Sequence, residues 1–262
     1  MHCLIKVIQR GQSIEAAFNS LNLNELTLEA ESRPVVIRGI YSNKDVIDLR
    51  NKVLFDFEEY KSLLESRYYY GCPNVYKLLN RDYHYYRPER RHLWNYFMWN
   101  RKPDHIIYDI GISFTRLINS LAGLPSDYGH DPACGHFYTL STMLYPKGGG
   151  FLAPHVDSYF QKYQALLIMS KLGEDFYEGG SFCFDSDNKN HFIEPELERG
   201  DVLLLPSTVV HGVYPIDPKI EDENPFSGRW AFFTPMPNSN ILVDGPGVSK
   251  PISLDNHFPK KI

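Results

Sequence analysis

The sequence predicts an α+β chain: a helical N-terminal half that supports a β core folded as a barrel or a two-sheet jelly roll. Three observations carry this. Short β-branched or aromatic runs separated by turn residues fill the chain after residue 135. Apolar residues before residue 129 recur mainly at helical spacing. There is no internal repeat and no low-complexity linker, so residues 1–262 read as one domain, with 1–134 as mainly helical support and 135–262 as the jelly-roll core.

The elements follow in order. Residues 14–21 form a short amphipathic run. Residues 34–40 (PVVIRGI) read as a strand, being β-branched and closed by glycine. Ser42 and Asn43 are helix caps for the run over 44–54. A second helix is expected over 56–66 and a long buried one over 105–121. Strands are expected at 136–145, 164–170, 181–184, 201–205, 211–214 and 229–234. The turns between them carry PKGGG at 146–150, EGG at 178–180 and DSDN at 185–188. The tail after Pro235, rich in Pro, Gly, Ser and Asn, reads as a closing loop.

Composition narrows the function. With 43% hydrophobic and 23% charged residues, the chain buries an ordinary core without a disulfide or metal staple. No apolar run approaches the roughly 20 residues a membrane helix needs, and residues 1–10 do not read as a signal peptide. A net charge of −5 argues against general nucleic-acid binding, so no nucleic-acid partner is expected. Cys3, Cys72, Cys134 and Cys183 form no CxxC pair, which fits reduced, mostly buried thiols in a cytoplasmic protein.

The chemistry concentrates at His155-Val156-Asp157. Side chains two apart on a strand share a face, so an imidazole and a carboxylate would stand together. His211 opens a later strand. Two histidines and one carboxylate are the ligand set of the non-haem iron facial triad, which leaves metal positions open. By itself the HxD spacing is a weak signal, for which a capped turn or an ion pair is the usual explanation.

Four ordered stretches surround these residues: YPKGGGFLAPH at 145–155, EGGSFCF at 178–184, RGDVLLLPS at 199–207 and GRWAFFT at 228–234. With them, residues 136–234 resemble the Fe(II)/2-oxoglutarate-dependent dioxygenase superfamily, in its prolyl-hydroxylase-like branch. The resemblance implies a double-stranded β-helix, the cupin-like jelly roll. It implies Fe(II) on His155, Asp157 and His211, with 2-oxoglutarate and O2 as cosubstrates. It also implies that Arg229 holds the distal carboxylate of 2-oxoglutarate, for which a guanidinium fork is suited. Tyr145, ten positions before His155, matches a tyrosine that lies near the cosubstrate in that branch, and it equally fits a core tyrosine at a strand end. Thr139 and Ser141 share its strand face and are further candidates.

Two departures accompany the pattern. His211 and Arg229 are 18 positions apart, longer than usual, and the surplus at 217–228 (DPKIEDENPFSG) reads as an inserted surface loop. Met169 and Ser170 stand where relatives offer a tyrosine or another donor to the cosubstrate carboxylate, leaving that second contact open.

The implied reaction turns 2-oxoglutarate into succinate and CO2 while an unactivated C–H of the substrate is hydroxylated. A carboxylate at 157 fills the position that related halogenases leave for chloride, so hydroxylation or another oxidation is expected. The substrate expected is a small molecule, an amino acid or a biosynthetic metabolite. The alternatives are a protein side chain of prolyl type, a jelly-roll protein that binds metal or 2-oxoglutarate without turnover, and a zinc hydrolase. Substrate-contact candidates are Tyr159, Phe151 and Arg87. Arg87 belongs to RDYHYYRPERRH at 81–92, which reads as a lid for an anionic or aromatic substrate, as a nucleic-acid contact in which basic and stacking groups interleave, or as a solvated loop leading into a helix with Trp94 and Trp99.

Overall fold

The structure is a computed structural model and describes residues 4–7, 22–31, 33–60, 68–82, 84–157, 160–221 and 224–245. The amphipathic run over 14–21, the first cysteine and Tyr159 lie outside the described residues.

Twelve strands are present among the described residues, and all but one pairing is antiparallel. The core consists of two four-stranded sheets. One is β10 (Val202–Pro206), β7 (Tyr163–Ile168), β12 (Gly228–Phe233) and β5 (Thr139–Pro146), in that order. The other is β6 (Gly150–His155), β11 (His211–Ile216), β8 (Gly180–Phe184) and β9 (Asn190–Phe192). Chain-adjacent strands β5 and β6 thus fall in different sheets, as do β7 and β8, which is the winding of a double-stranded β-helix.

The N-terminal half departs from its reading as mainly helical: it contributes four strands. β1 (Leu4–Val7) runs parallel to β2 (Val35–Arg38), and β2 extends the first sheet beside β10. At the other edge β4 (Glu89–Phe97) pairs with β5 along its length, and Glu89 and Arg90 also pair with β6. β3 (Val75–Arg81) forms a hairpin with β4. Trp94 therefore sits in a strand and Trp99 in a single 3-10 turn, not in the helix expected there.

Three helices are described: α1 (Leu23–Ala30), α2 (Asn43–Asp56) and α3 (Ile106–Ala122). Ser42 caps α2 as its sequence predicts: the Asp45 N–H donates to the Ser42 hydroxyl at 3.2 Å, and the Ser42 N–H donates to the Asp45 carboxylate at 2.7 Å. The expected second helix over 56–66 is not formed in its described part, because residues 57–60 are turns. His105 caps α3, accepting from the Ile107 N–H and contacting Asp56 Oδ2 at 3.0 Å.

Why the first sheet needs helices is visible in its alternation. Leu140, Leu144, Ala165, Leu167, Val202 and Leu204 face an outer cluster shared with α3 residues such as Phe114 and Leu117. Met143, Leu166, Ile168, Leu203 and Leu205 face an inner cluster between the sheets. Both faces are apolar, and each buried leucine contributes roughly 1.5–3 kcal/mol only if both are covered. The helices cover the outer face, and the inner face is left to line a cavity.

Candidate metal centre and its cavity

β6 ends on His155 and β11 begins on His211, and the two residues are direct partners in the strand register. Their ring centroids lie 4.5 Å apart. Asp157 stands just beyond β6, so its nearness to His155 does not come from a shared strand face. A loop delivers it, fixed by its N–H donating to Ser207 O at 3.0 Å. One ligand atom from each of His155, Asp157 and His211 lies within 4.8 Å of the others.

Backbone carbonyls set the imidazole tautomers. Nδ1 of His155 lies 3.0 Å from Ala153 O, and Nδ1 of His211 lies 2.9 Å from Val209 O. Since a carbonyl only accepts, both Nδ1 atoms carry a proton, and both Nε2 atoms face Asp157. The Nε2 atoms stand 3.4 Å from Oδ1 and 3.1 Å from Oδ2. Gln164 Nε2 donates to Asp157 Oδ2 and orients the carboxylate.

This is an electron-rich convergence that a cation satisfies. Burial, with His211 beside it, pushes the His155 pKa down to about 4. Burial would also depress His211, but the Asp157 charge outweighs it and raises the pKa. For Asp157, burial works upward, and the two histidines override it and hold the carboxyl well below its ordinary range. Two imidazoles, once free of their Nε2 protons, and one carboxylate suit a divalent first-row transition metal, and three ligands are fewer than such ions take.

The triad opens onto a cavity of about 310 Å³, near the lower end of the sizes typical of small-molecule sites. Tyr145 and Arg229 line it as direct register partners on β5 and β12. The long connection over 217–227 therefore leaves the strand register intact. Asp217 anchors it at one end, accepting from the Tyr177 and Glu178 N–H groups, and Phe226 anchors it at the other by packing on Trp94 and Phe57. Arg229 is buried, with its guanidinium carbon 5.9 Å from the Tyr145 ring centroid. Thr139 and Ser141 line the same cavity, in a chain of polar contacts that runs through Asn95 to Tyr68.

One participant escaped the sequence reading. Arg229 Nε donates to Glu194 Oε2 at 2.9 Å, and its NH2 donates to Ser181 Oγ at 2.7 Å. Glu194 is fully buried, and its Oε2 also accepts from the Ser181 N–H. The EGG turn makes room for it. Gly180 has φ +122°, and a Cβ there would stand 2.4 Å from the Glu194 side chain. The only sequence signal was a buried arginine needing an anion, and nothing local pointed to residue 194.

The remaining candidates divide. Arg87 lines the cavity. Phe151 does not: its β6 neighbour Leu152 faces in, so alternation turns Phe151 out. Met169 belongs to the outer core, and Ser170 is occupied by the Gly228 carbonyl and the Trp230 N–H, so neither faces the cavity. The tail closes one side as expected, through Met236, Asn238 and Ile241. Cys72 and Cys183 are buried free thiols, and Cys134 is exposed. No helix among the described residues is long and apolar enough to cross a membrane.

No protein-family model matches the chain, and no curated protein matches it. Solved structures do. A Pseudomonas putida prolyl-4-hydroxylase matches 81% of this chain and 97% of its own, with a TM-score of 0.53 at 14% identity. The non-haem α-ketoglutarate-dependent epimerase SnoN from nogalamycin biosynthesis matches 88% of this chain and 92% of its own, with a TM-score of 0.53 at 12% identity. A Trichoplax adhaerens prolyl hydroxylase, solved with a hypoxia-inducible-factor peptide, matches 87% and 92%, with a TM-score of 0.50 at 14% identity. The chain shares the fold of these oxygenases.

Proposed function

We propose that this chain is a non-haem Fe(II)/2-oxoglutarate-dependent oxygenase that hydroxylates an unactivated C–H of a small molecule. The observation that carries the reading is the convergence of both histidine Nε2 atoms and the Asp157 carboxylate at one end of a cavity that also holds Arg229 and Tyr145. The shared fold with 2-oxoglutarate oxygenases supports it.

In this reading His155, Asp157 and His211 hold iron(II). Iron, when bound, couples O2 to the conversion of 2-oxoglutarate into succinate and CO2 and to oxidation of the substrate. The protein's part is positioning. The Ala153 and Val209 carbonyls keep each imidazole turned with Nε2 toward the metal site, and Gln164 steadies Asp157. Arg229 receives the distal carboxylate of 2-oxoglutarate, with Ser181 and the Tyr145 ring beside it. Glu194 fixes Arg229 from the Nε edge, which keeps the cation in place and limits the cost of burying it. The tail residues Met236 and Ile241 shield the cavity from water.

A cavity of about 310 Å³ favours a small molecule over a folded protein surface. Release of succinate from 2-oxoglutarate tests the reading: it should depend on added iron(II) and vanish in Asp157→Ala. Wild-type protein that binds iron and 2-oxoglutarate but forms no succinate with any of a broad metabolite set would instead be a binding protein.

A further inference from the structure

Three arginines crowd one carboxylate at the start of β4. Arg91 donates through Nε to Glu89 Oε2 at 2.7 Å, and its NH2 lies at the same distance. Arg81 lies 3.2 Å from Oε1, with its side chain turned partly to solvent. Arg87 comes no nearer to Glu89 than 3.8 Å, beyond hydrogen-bond range, and it makes no hydrogen bond among the described residues. Its side chain is only 25% exposed. The other cavity arginines have close carboxylate partners, Arg91 in Glu89 and Arg229 in Glu194. Arg87 alone among them has no carboxylate within hydrogen-bond distance.

Its place relative to the metal site is fixed through the backbone. The Ala153 N–H donates to Pro88 O at 3.0 Å, and Ala153 O in turn receives Nδ1 of His155. Glu89 pairs with Leu152 in the register. Arg87 is thus one residue from a segment bonded to the strand that carries His155. Its positive charge is felt by Asp157, His155 and His211, while burial and Arg91 oppose it. A partly buried cation whose donors no side chain takes is open to a two-pronged pairing with an anionic group.

We propose that Arg87 anchors a carboxylate of the primary substrate, so that the substrate class is a small carboxylic acid whose apolar body lies against Phe160 and Phe233. This assignment rests on the 2-oxoglutarate-dependent reading, in which the two carboxylates of the cosubstrate already have partners at the metal and at Arg229. Arg87 is then the only cavity arginine left for the substrate, and it sits on the metal side of the cavity, where the oxidised carbon must also lie.

The test uses protein loaded with iron(II) and saturating 2-oxoglutarate, without oxygen. Monocarboxylates from propionate to 3-phenylpropionate, each paired with its primary amide, are titrated by calorimetry and by the change in the visible iron–2-oxoglutarate band. At least one acid should bind tenfold or more tightly than its amide. Arg87→Gln should erase that preference, Arg87→Lys should restore part of it, and Arg90→Gln, which changes an outward arginine, should keep it. Absence of an acid preference across the panel, or its survival in Arg87→Gln, overturns the assignment. Absence of the visible band in wild type overturns the oxygenase reading instead, so the two failures are told apart.

Discussion

His92 shows how one residue's surroundings become a property of the whole chain. Its ring stacks on Trp94 at 5.8 Å with an interplanar angle of 13°, and Nδ1 meets the Tyr76 hydroxyl at 2.8 Å. Burial, helped by Arg90, lowers its pKa from 6.5 to about 4. The folded chain therefore binds this proton less readily than the unfolded chain. The stabilisation is complete above pH 6.5 and is lost as pH falls toward 4, by on the order of 3 kcal/mol across the window. His92→Phe keeps the stacking and removes the titration. Urea denaturation at pH 7 and pH 4.5 should show a smaller loss in the variant, and equal losses would contradict this account of His92.

Much of the site was readable residue by residue. His155, Asp157, His211, Arg229 and Tyr145 all meet in one cavity because each sits in a short motif whose spacing is set locally, by a strand end or a register. Glu194 was not readable. It comes to Arg229 from 35 residues away in sequence, and no periodicity encodes such a pairing.

At the scale of elements, the same distinction explains the misread hairpin. Arg87, Glu89, Arg91, Leu93 and Asn95 alternate toward the interior along β4 and the residue pair before it. Strand recognition relies on apolar residues facing inward, and here most inward positions of this stretch are charged or polar, so the alternation hides the strand. The helices α2 and α3 were legible, to within two residues at their ends, because their apolar stripes meet an apolar sheet and their caps are local. The 178–180 turn is the element on which the arginine site depends. Gly180→Ala places a Cβ against Glu194 and forces a residue other than glycine into φ +122°. The expected cost is about 2–4 kcal/mol in a thermal or urea melt, from strain and overpacking together. It should come with weaker 2-oxoglutarate binding, because Arg229 loses its partner. A variant as stable as wild type would show that Glu194 and Gly180 are not packed as described.

For the whole molecule, the jelly roll accounts for why so dispersed a set of residues forms one site. The two histidines come from the β6–β11 pair of one sheet, Asp157 from the loop after β6, and Tyr145 and Arg229 from the β5–β12 pair of the other. Substrate identity belongs to this scale too, since it depends on a shape assembled from β4, the 160–161 segment and the tail. That is why sequence motifs, which record cofactor chemistry, left the substrate open.

The central claim is that one cavity binds iron(II) and 2-oxoglutarate together. The most direct measurement adds iron(II) and then 2-oxoglutarate to metal-free protein without oxygen and records the visible spectrum. A weak metal-to-ligand charge-transfer band should appear and saturate at one 2-oxoglutarate per chain. The band should be lost in Asp157→Ala, and in Arg229→Ala it should need roughly tenfold to a hundredfold more 2-oxoglutarate, as expected for losing a charged hydrogen-bond pair. Wild-type protein that binds iron yet shows no band at any 2-oxoglutarate concentration would contradict the account and leave a metal site of another kind.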